Sequence, residues 1–507
     1  MDNGRGPADE RLEVRFDGLA QGVTAATWGQ RTIWAPITWY APDDHYFNIA
    51  LPLELRHPVE PAAFGAAVRS LLERHESLRT LYRTGSDGAL EQVLHGSGVL
   101  HLRLVPAPEG EPLSAVLERV AAQDRAIRFE LPATADGLAG GALPVRVSAV
   151  VANGQVAGAV LTMAHIAADG TGAQVVRDDL RRLLAQQRRR PGTLPPPVPG
   201  RQPREQAGYE AGPQAAARSA AALALWTRQL AGIPASLWPE ETDPETSGRP
   251  AETGHPAVAG GPAETDQAEP SSGTAGPEEA ERWWEGQLDC PRLDLASRAA
   301  AVRTGTSASA VVLAAVGLEL GARTGATAVP LKVILGNRVS EAQRTAVGAF
   351  AQNGLVVLGT TGDFDQLARE AWRSQLQTSR HGHYDPDALA AAVQAEEKRR
   401  GTAMDLNALF NDHREPERSP DRAADRAADT AGRGPSAEPV EPADLPAGRF
   451  GWRSRWARQD CKFFFGLAHR DGEAVATLLV DTRHFPAAAV EPFLRAVEER
   501  VLAAVTG

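Results

Sequence analysis

The sequence predicts an α/β protein built as two lobes of similar size. Strand-like and helical runs alternate in both halves of the chain. Its 507 residues exceed the ~250–300 at which a single hydrophobic core stops growing. Three stretches rich in Pro, Gly, Ser and charge interrupt the alternation.

In the first half, residues 46–55 (YFNIALPLEL) alternate apolar and polar as a strand does, and 61–75 carry apolar residues at helical spacing behind a proline suited to a first turn. Residues 100–105 alternate again, 113–125 are helical, and 143–151 and 156–163 read as strands. A helix follows Thr171, and the basic run 181–190 suits its C-terminal dipole end better than a binding patch. In the second half, 299–321 is one long Ala-rich helix or a helix pair. Strands follow at 329–334 and 354–357, a helix at 364–379, strands at 462–467 and 474–481, and a last helix at 487–505.

The interrupting stretches are 188–214, 239–280 and 412–446. They hold almost no Leu, Ile or Phe, so they bury too little apolar surface to offset the entropy of ordering, and mobile linkers or insertions are expected. The first opens a C-terminal lobe of residues 188–507 after an N-terminal lobe of 1–187. The second holds ten acids against one base, a local charge of −9, and reads as a solvated acidic loop. The third contains the tandem repeat DRAADRAAD at 421–429, too short for a solenoid.

Composition excludes several classes. The 2 cysteines, Cys290 and Cys461, have no CxxC spacing, which rules out a disulfide framework and a thiolate zinc site and makes a reducing, cytoplasmic setting the default. The opening MDNGRGPADE lacks the apolar core of a signal peptide, and the longest uncharged apolar run, 308–318, stops at Glu319, short of the ~18 residues of a membrane span. No membrane partner is expected. A net charge of −11 argues against a nucleic-acid partner, since such proteins neutralise phosphates with Lys and Arg.

The sharpest local feature is Thr162-Met163-Ala164-His165-Ile166-Ala167-Ala168-Asp169-Gly170-Thr171-Gly172. It leaves an apolar strand, passes His165 and turns at Asp169-Gly170 into a helix. Imidazole moves protons near neutral pH, an acid a few residues on can fix the loop on an arginine, and glycine admits substrate close to the backbone. Alone, a His-x-x-x-Asp spacing is common by chance. Three further segments accompany it in order: Thr27-Trp28-Gly29-Gln30-Arg31-Thr32-Ile33-Trp34, then Arg74-His75-Glu76-Ser77-Leu78-Arg79-Thr80, and Gly336-Asn337-Arg338 with Val347-Gly348-Ala349-Phe350-Ala351-Gln352-Asn353.

With these segments the chain resembles the condensation domains of nonribosomal peptide synthetases, within the chloramphenicol acetyltransferase-like superfamily. The His165 segment is similar to the family's His-His-x-x-x-Asp-Gly motif, with Ala164 in place of the first histidine. The resemblance implies two acetyltransferase-like lobes in a V, with a tunnel between them. It implies an acyltransferase, free-standing on this reading, that joins an acyl or aminoacyl thioester on the phosphopantetheine of a carrier protein to an amine or hydroxyl acceptor. No cofactor or metal of its own is expected, and a monomer is.

Under the same resemblance His165, Asp169 and Gly170 form the catalytic set. Asp169 is expected to pair with Arg338 first and Arg79 second, and Arg338, Arg79 and Arg74 support the site. Asn353, Ser309, Asn411 and Trp34 are candidate tunnel or acceptor contacts, and 460–465 (DCKFFF) reads as a buried strand, of the kind that in the resembling fold can line the acceptor tunnel. Two other readings remain: an acyl-CoA-dependent acyltransferase, and a non-catalytic module that recruits a carrier protein, which Ala164 favours. His381 and His383 lack a third ligand at motif spacing, Asp43-Asp44-His45 reads as turn chemistry, and no nucleophile elbow, P-loop or dinucleotide fingerprint occurs.

Overall fold

The structure, a computed structural model, describes residues 10–131, 142–197, 199–238, 281–414, 442–470 and 473–506. The acidic stretch 239–280 and the repeat at 421–429 lie outside them.

The first half runs β1 (Glu10–Phe16), β2 (Gly22–Ala25), α1 (Trp28–Tyr40), β3 (Ile49–Val59), α2 (Pro61–Arg74), β4 (Thr80–Thr84), β5 (Leu90–Leu94), β6 (Gly98–Pro106), α3 (Leu113–Arg125), β7 (Val145–Ala152), β8 (Gln155–Met163) and α4 (Gly170–Arg189). A five-stranded sheet has the order β1-β6-β7-β8-β3, with only β6–β7 parallel, and β2-β5-β4 form a small accessory sheet. Strands β7 and β8 form a hairpin turning on Asn153-Gly154, both at positive φ (51° and 75°), the geometry that matches strand twist in a two-residue loop. Helices α2 and α4 pack their apolar stripes (Phe64, Leu71, Val176, Leu180, Leu183) on one sheet face, and α3 covers the other through Val116, Leu117 and Val120.

The second half continues α5 (Pro203–Glu210), α6 (Pro213–Ala231), β9 (Trp283–Asp289), α7 (Pro291–Thr304), α8 (Ala308–Thr324), β10 (Ala328–Leu335), α9 (Glu341–Arg344), β11 (Gln352–Gly359), α10 (Phe364–Arg380), α11 (Pro386–Arg400), β12 (Ala408–Asp412), β13 (Phe450–Trp456), β14 (Phe463–Arg470), β15 (Glu473–Asp481) and α12 (Val490–Thr506). Its seven-stranded sheet is ordered β11-β10-β12-β14-β15-β9-β13, parallel only at β10–β12 and β12–β14. Alternation divides the side chains. Val333, Phe410, Phe463, Phe465 and Leu478 join the core with α7, α8, α10 and α12, while Ile334, Leu409, Phe464 and Leu479 face the opposite way.

One alternative is settled and one expectation changes. The Ala-rich run is a helix pair, broken where Gly305 takes φ 67° at the end of α7. The stretch 188–214 is no bare connector: it contains all of α5, with Gln206 and Glu210 buried. Its order comes from polar partners, which composition alone does not reveal. Arg204 pairs with Glu76, and Arg74 donates to the carbonyls of Pro195 and Pro196 at 3.0 and 2.7 Å.

Among the described residues no single helix is long and apolar enough to cross a membrane; α7 and α8 are so only when taken together across a bend of 104°, and they pack into the core of the seven-stranded sheet.

Candidate active site

His165 is buried in the turn between β8 and α4. Several bonds hold this turn. The Ala164 amide donates to Pro144 O at 3.0 Å, Tyr82 OH donates to Ile166 O at 3.2 Å, and Ser77 Oγ donates to Ala167 O. Tyr82 is in turn bonded by Gln30 of α1 at 3.2 Å. Ala164 is buried in an apolar cluster with Ile33, Ile37, Tyr82, Phe129 and Ile166, against which Trp34 packs, with its ring 6.1 Å from that of Tyr82.

Asp169 is the N-cap of α4 and uses both carboxylate oxygens. Oδ1 accepts from the Gly172 amide at 2.8 Å and from Arg338 Nη2 at 2.6 Å, and Oδ2 accepts from the Phe350 amide at 3.0 Å. Its own amide donates to Gly348 O at 3.1 Å. Arg338 is further anchored on the carbonyls of Gln343, Ala346 and Gly348 and lies over the Phe350 ring at 4.6 Å. The pair is buried, each side chain 6% exposed. With the Gly172 amide engaged, Gly170 and Thr171 are the remaining amides of the first turn of α4.

The first-choice pairing of Asp169 with Arg338 is therefore present, and the alternative with Arg79 is not. Arg79 donates to Ala20 O and His95 O, at 2.8 and 2.5 Å, and braces the small sheet. Arg74 and His75 both bind Asp179 of α4, at 2.8 and 3.0 Å, so this motif clamps the helix that Asp169 caps. Ser309 also departs from expectation. It sits in the first turn of α8, bonded by Gln375 of α10 at 3.4 Å, in the helical layer on the far face of the second sheet, because the 3.6-residue repeat turns it to a neighbouring helix.

The near face of that sheet looks toward the first half. Tyr40 OH donates to Gln459 Oε1 at 2.6 Å, the rings of Tyr46 and Trp456 meet at 5.2 Å, and Ile334 and Ala349 join the cluster that contains Ala164. A cavity of ≈ 50 Å³ opens on this face, lined by Glu285, Gln287, Asn411, His413, Arg453 and Thr477 among others. Gly466 is required in its wall, since a Cβ there would come within 2.6 Å of Thr477 Oγ1. Asn411 lines this cavity, and Asn353 lines a second one in the same sheet. The DCKFFF strand divides, with Phe464 toward the first half and Phe463 and Phe465 in the core.

Sequence reasoning missed His413. Asn411 Nδ2 bonds its Nε2, and its amide donates to Leu467 O at 2.7 Å. Burial pushes the His413 imidazole below its ordinary range; Asp412 opposes this and the charge of His165 adds to it, so the two imidazoles sense each other across the halves. The signal was available, because a strand's period of two puts Leu409, Asn411 and His413 on one face. The remaining histidine and acid motifs are structural. His383 Nε2 meets Glu210 Oε1 at 3.0 Å and its ring packs on Trp28 at 4.6 Å, and Asp44 accepts from Arg128 at 2.5 Å.

No family model matches the chain. A probable non-canonical nonribosomal peptide synthetase, CymA, of Salinispora arenicola is 28% identical over 214 residues, 41% of this chain and 2% of that protein. The condensation domain from monacolin K polyketide synthase MokA superposes with a TM-score of 0.64 over 96% of this chain and 98% of its own, at 14% identity. A mutant of the starter condensation domain of rhizomide synthetase RzmA, in complex with C8-CoA and Leu-SNAC, gives a TM-score of 0.61 over 96% and 95%, at 16% identity. The two sheets, their helical layers and the loop carrying His165 belong to one architecture: the chain has the fold of the condensation domains of nonribosomal peptide and polyketide synthetases.

Proposed function

We propose that the chain is an acyltransferase that condenses an acyl or aminoacyl thioester, presented on the phosphopantetheine arm of a carrier protein, with an amine or hydroxyl acceptor. The observation that carries this reading is the locking of the His165 loop from both halves through Asp169, Arg338 and the Phe350 amide. A loop fixed that firmly holds an imidazole where two substrates meet between the halves. His165 Nε2 takes or orients the proton of the attacking amine or hydroxyl. The Gly170 and Thr171 amides lie on the positive end of α4 and stabilise the oxyanion of the tetrahedral intermediate, whose collapse expels the carrier thiolate. The RzmA complex, with C8-CoA and Leu-SNAC together, supports a two-substrate reaction on this fold.

Ala164 favours a second reading, a module that binds a carrier protein without transfer. Against it, the Ala164 side chain packs into an apolar cluster, so its exchange for histidine alters packing while His165 and its supports stay complete. The test is intact-mass measurement of acyl loss from a loaded carrier protein, with acyl-CoA as the competing donor and a broad acceptor set. Transfer from the carrier is expected, reduced about 10²-fold or more in His165→Ala. Unchanged turnover in that variant sinks the catalytic role; carrier binding without transfer selects the module, and preference for acyl-CoA selects the CoA-dependent enzyme.

A further inference from the structure

The near face of the second sheet holds another cavity, of ≈ 120 Å³, about ten times the ~10–15 Å³ that admits one water. Its lining is mainly apolar, with Trp226, Leu389, Met404 and Leu406, and Lys332 of β10 and Asn353 of β11 on its wall. Lys332 is 5% exposed, and its amine makes no hydrogen bond or ion pair among the described residues, with Asp460 and Asp405 acting on it only at longer range. The acids around it are engaged elsewhere. Asp405 pairs with Lys462 at 2.9 Å, Asp460 Oδ1 lies 3.1 Å from Tyr40 OH and shares its hydrogen with Gln459, and Glu397 accepts from the Met404 amide at 2.9 Å.

A buried amine without an acceptor is costly, and a folded chain keeps one where a ligand supplies the missing group. We propose that this cavity binds a small molecule joining an apolar body to a carboxylate, the carboxylate being taken by Lys332 and the body by the aromatic and aliphatic wall. One cation balances a singly charged carboxylate; a phosphate would remain under-neutralised in so apolar a space. Burial also pulls the Lys332 amine below its ordinary range, with Asp460 and Asp405 opposing the shift. The inference is independent of acyl transfer, because it concerns binding alone.

Calorimetric titration of the full chain with hexanoate and with its neutral analogue hexanamide tests it. Hexanoate should bind at least tenfold more tightly, and Lys332→Met should erase that preference while hexanamide stays within about threefold. Equal affinities on the unaltered protein, no binding of hexanoate at millimolar concentration, or a preference that survives in Lys332→Met overturns the proposal. Should Lys332→Met fail to fold, Val393→Trp, which fills the cavity from α11, must weaken both ligands; undiminished binding would place the site elsewhere. His165→Ala should bind hexanoate normally, so loss of turnover and loss of this site are read separately.

Discussion

At the scale of single residues, Asp169 has the most demanding position, since one buried carboxylate caps α4, pairs with Arg338 and receives the Phe350 amide. In Asp169→Asn the cap survives but Arg338 loses its counter-charge in a buried site. Stability should fall by about 3–5 kcal/mol, read by denaturant unfolding, together with turnover. A variant of normal stability that lost only turnover would show that Asp169 acts on substrate instead. His413 gives a pH-dependent counterpart. Its folded range lies below the ordinary ~6.5 of an unfolded chain, so the folded state binds fewer protons. Stability it contributes is present above about pH 6.5 and is lost as pH falls from there through its lowered folded value, and His413→Gln should flatten the melting temperature below about pH 6.5 relative to the parent. The motif residues were legible in the sequence because their chemistry is written in local spacing. Lys332 and His413 were not, since their meaning depends on which strand face meets which neighbour.

Elements were legible wherever the pattern was apolar. Helix 113–125 appears at its expected bounds, and the strands around 156–163 and 474–481 differ by a residue at most. Helix α5 was missed because a proline-rich, charged segment is ordered here by ion pairs and carbonyl acceptors rather than by burial of Leu or Phe. Helix α1 shows how closely elements approach around the site. A Cβ on Gly29 would fall 2.1 Å from Ala349 O, next to the amide that Asp169 accepts. Gly29→Ala must push α1 off the 348–350 segment, at a cost of about 1–3 kcal/mol in thermal or denaturant unfolding and with reduced turnover. Unchanged stability would mean that this backbone contact is slack.

At the scale of the molecule, the alternation of strands and helices foretold two α/β lobes, and the described residues form two large sheets, one from residues 10–163 and one from 283–481, with the small β2-β5-β4 sheet beside the first. What alternation did not foretell is how the halves join. Val347 enters the core of the first half, Ile334 and Ala349 enter the cluster around Ala164, and Arg31 pairs with Asp385 at 3.0 Å. The net charge of −11 had seemed a property of the whole, yet the stretch 239–280 holds −9 of it, which leaves the rest nearly neutral. Charge balance therefore says little about partners, and the faces between the halves say more.

The bond from Asp169 to Arg338 spans 169 residues of chain. Closing a loop of that length carries an entropic cost that no local contact repays, so such a pairing belongs late in folding. On a ribosome, α4 and the His165 loop emerge long before residues 338–350 can lock them. The first half therefore passes through synthesis as a scaffold with an unfinished turn, which is completed in a single late step, when the second half docks.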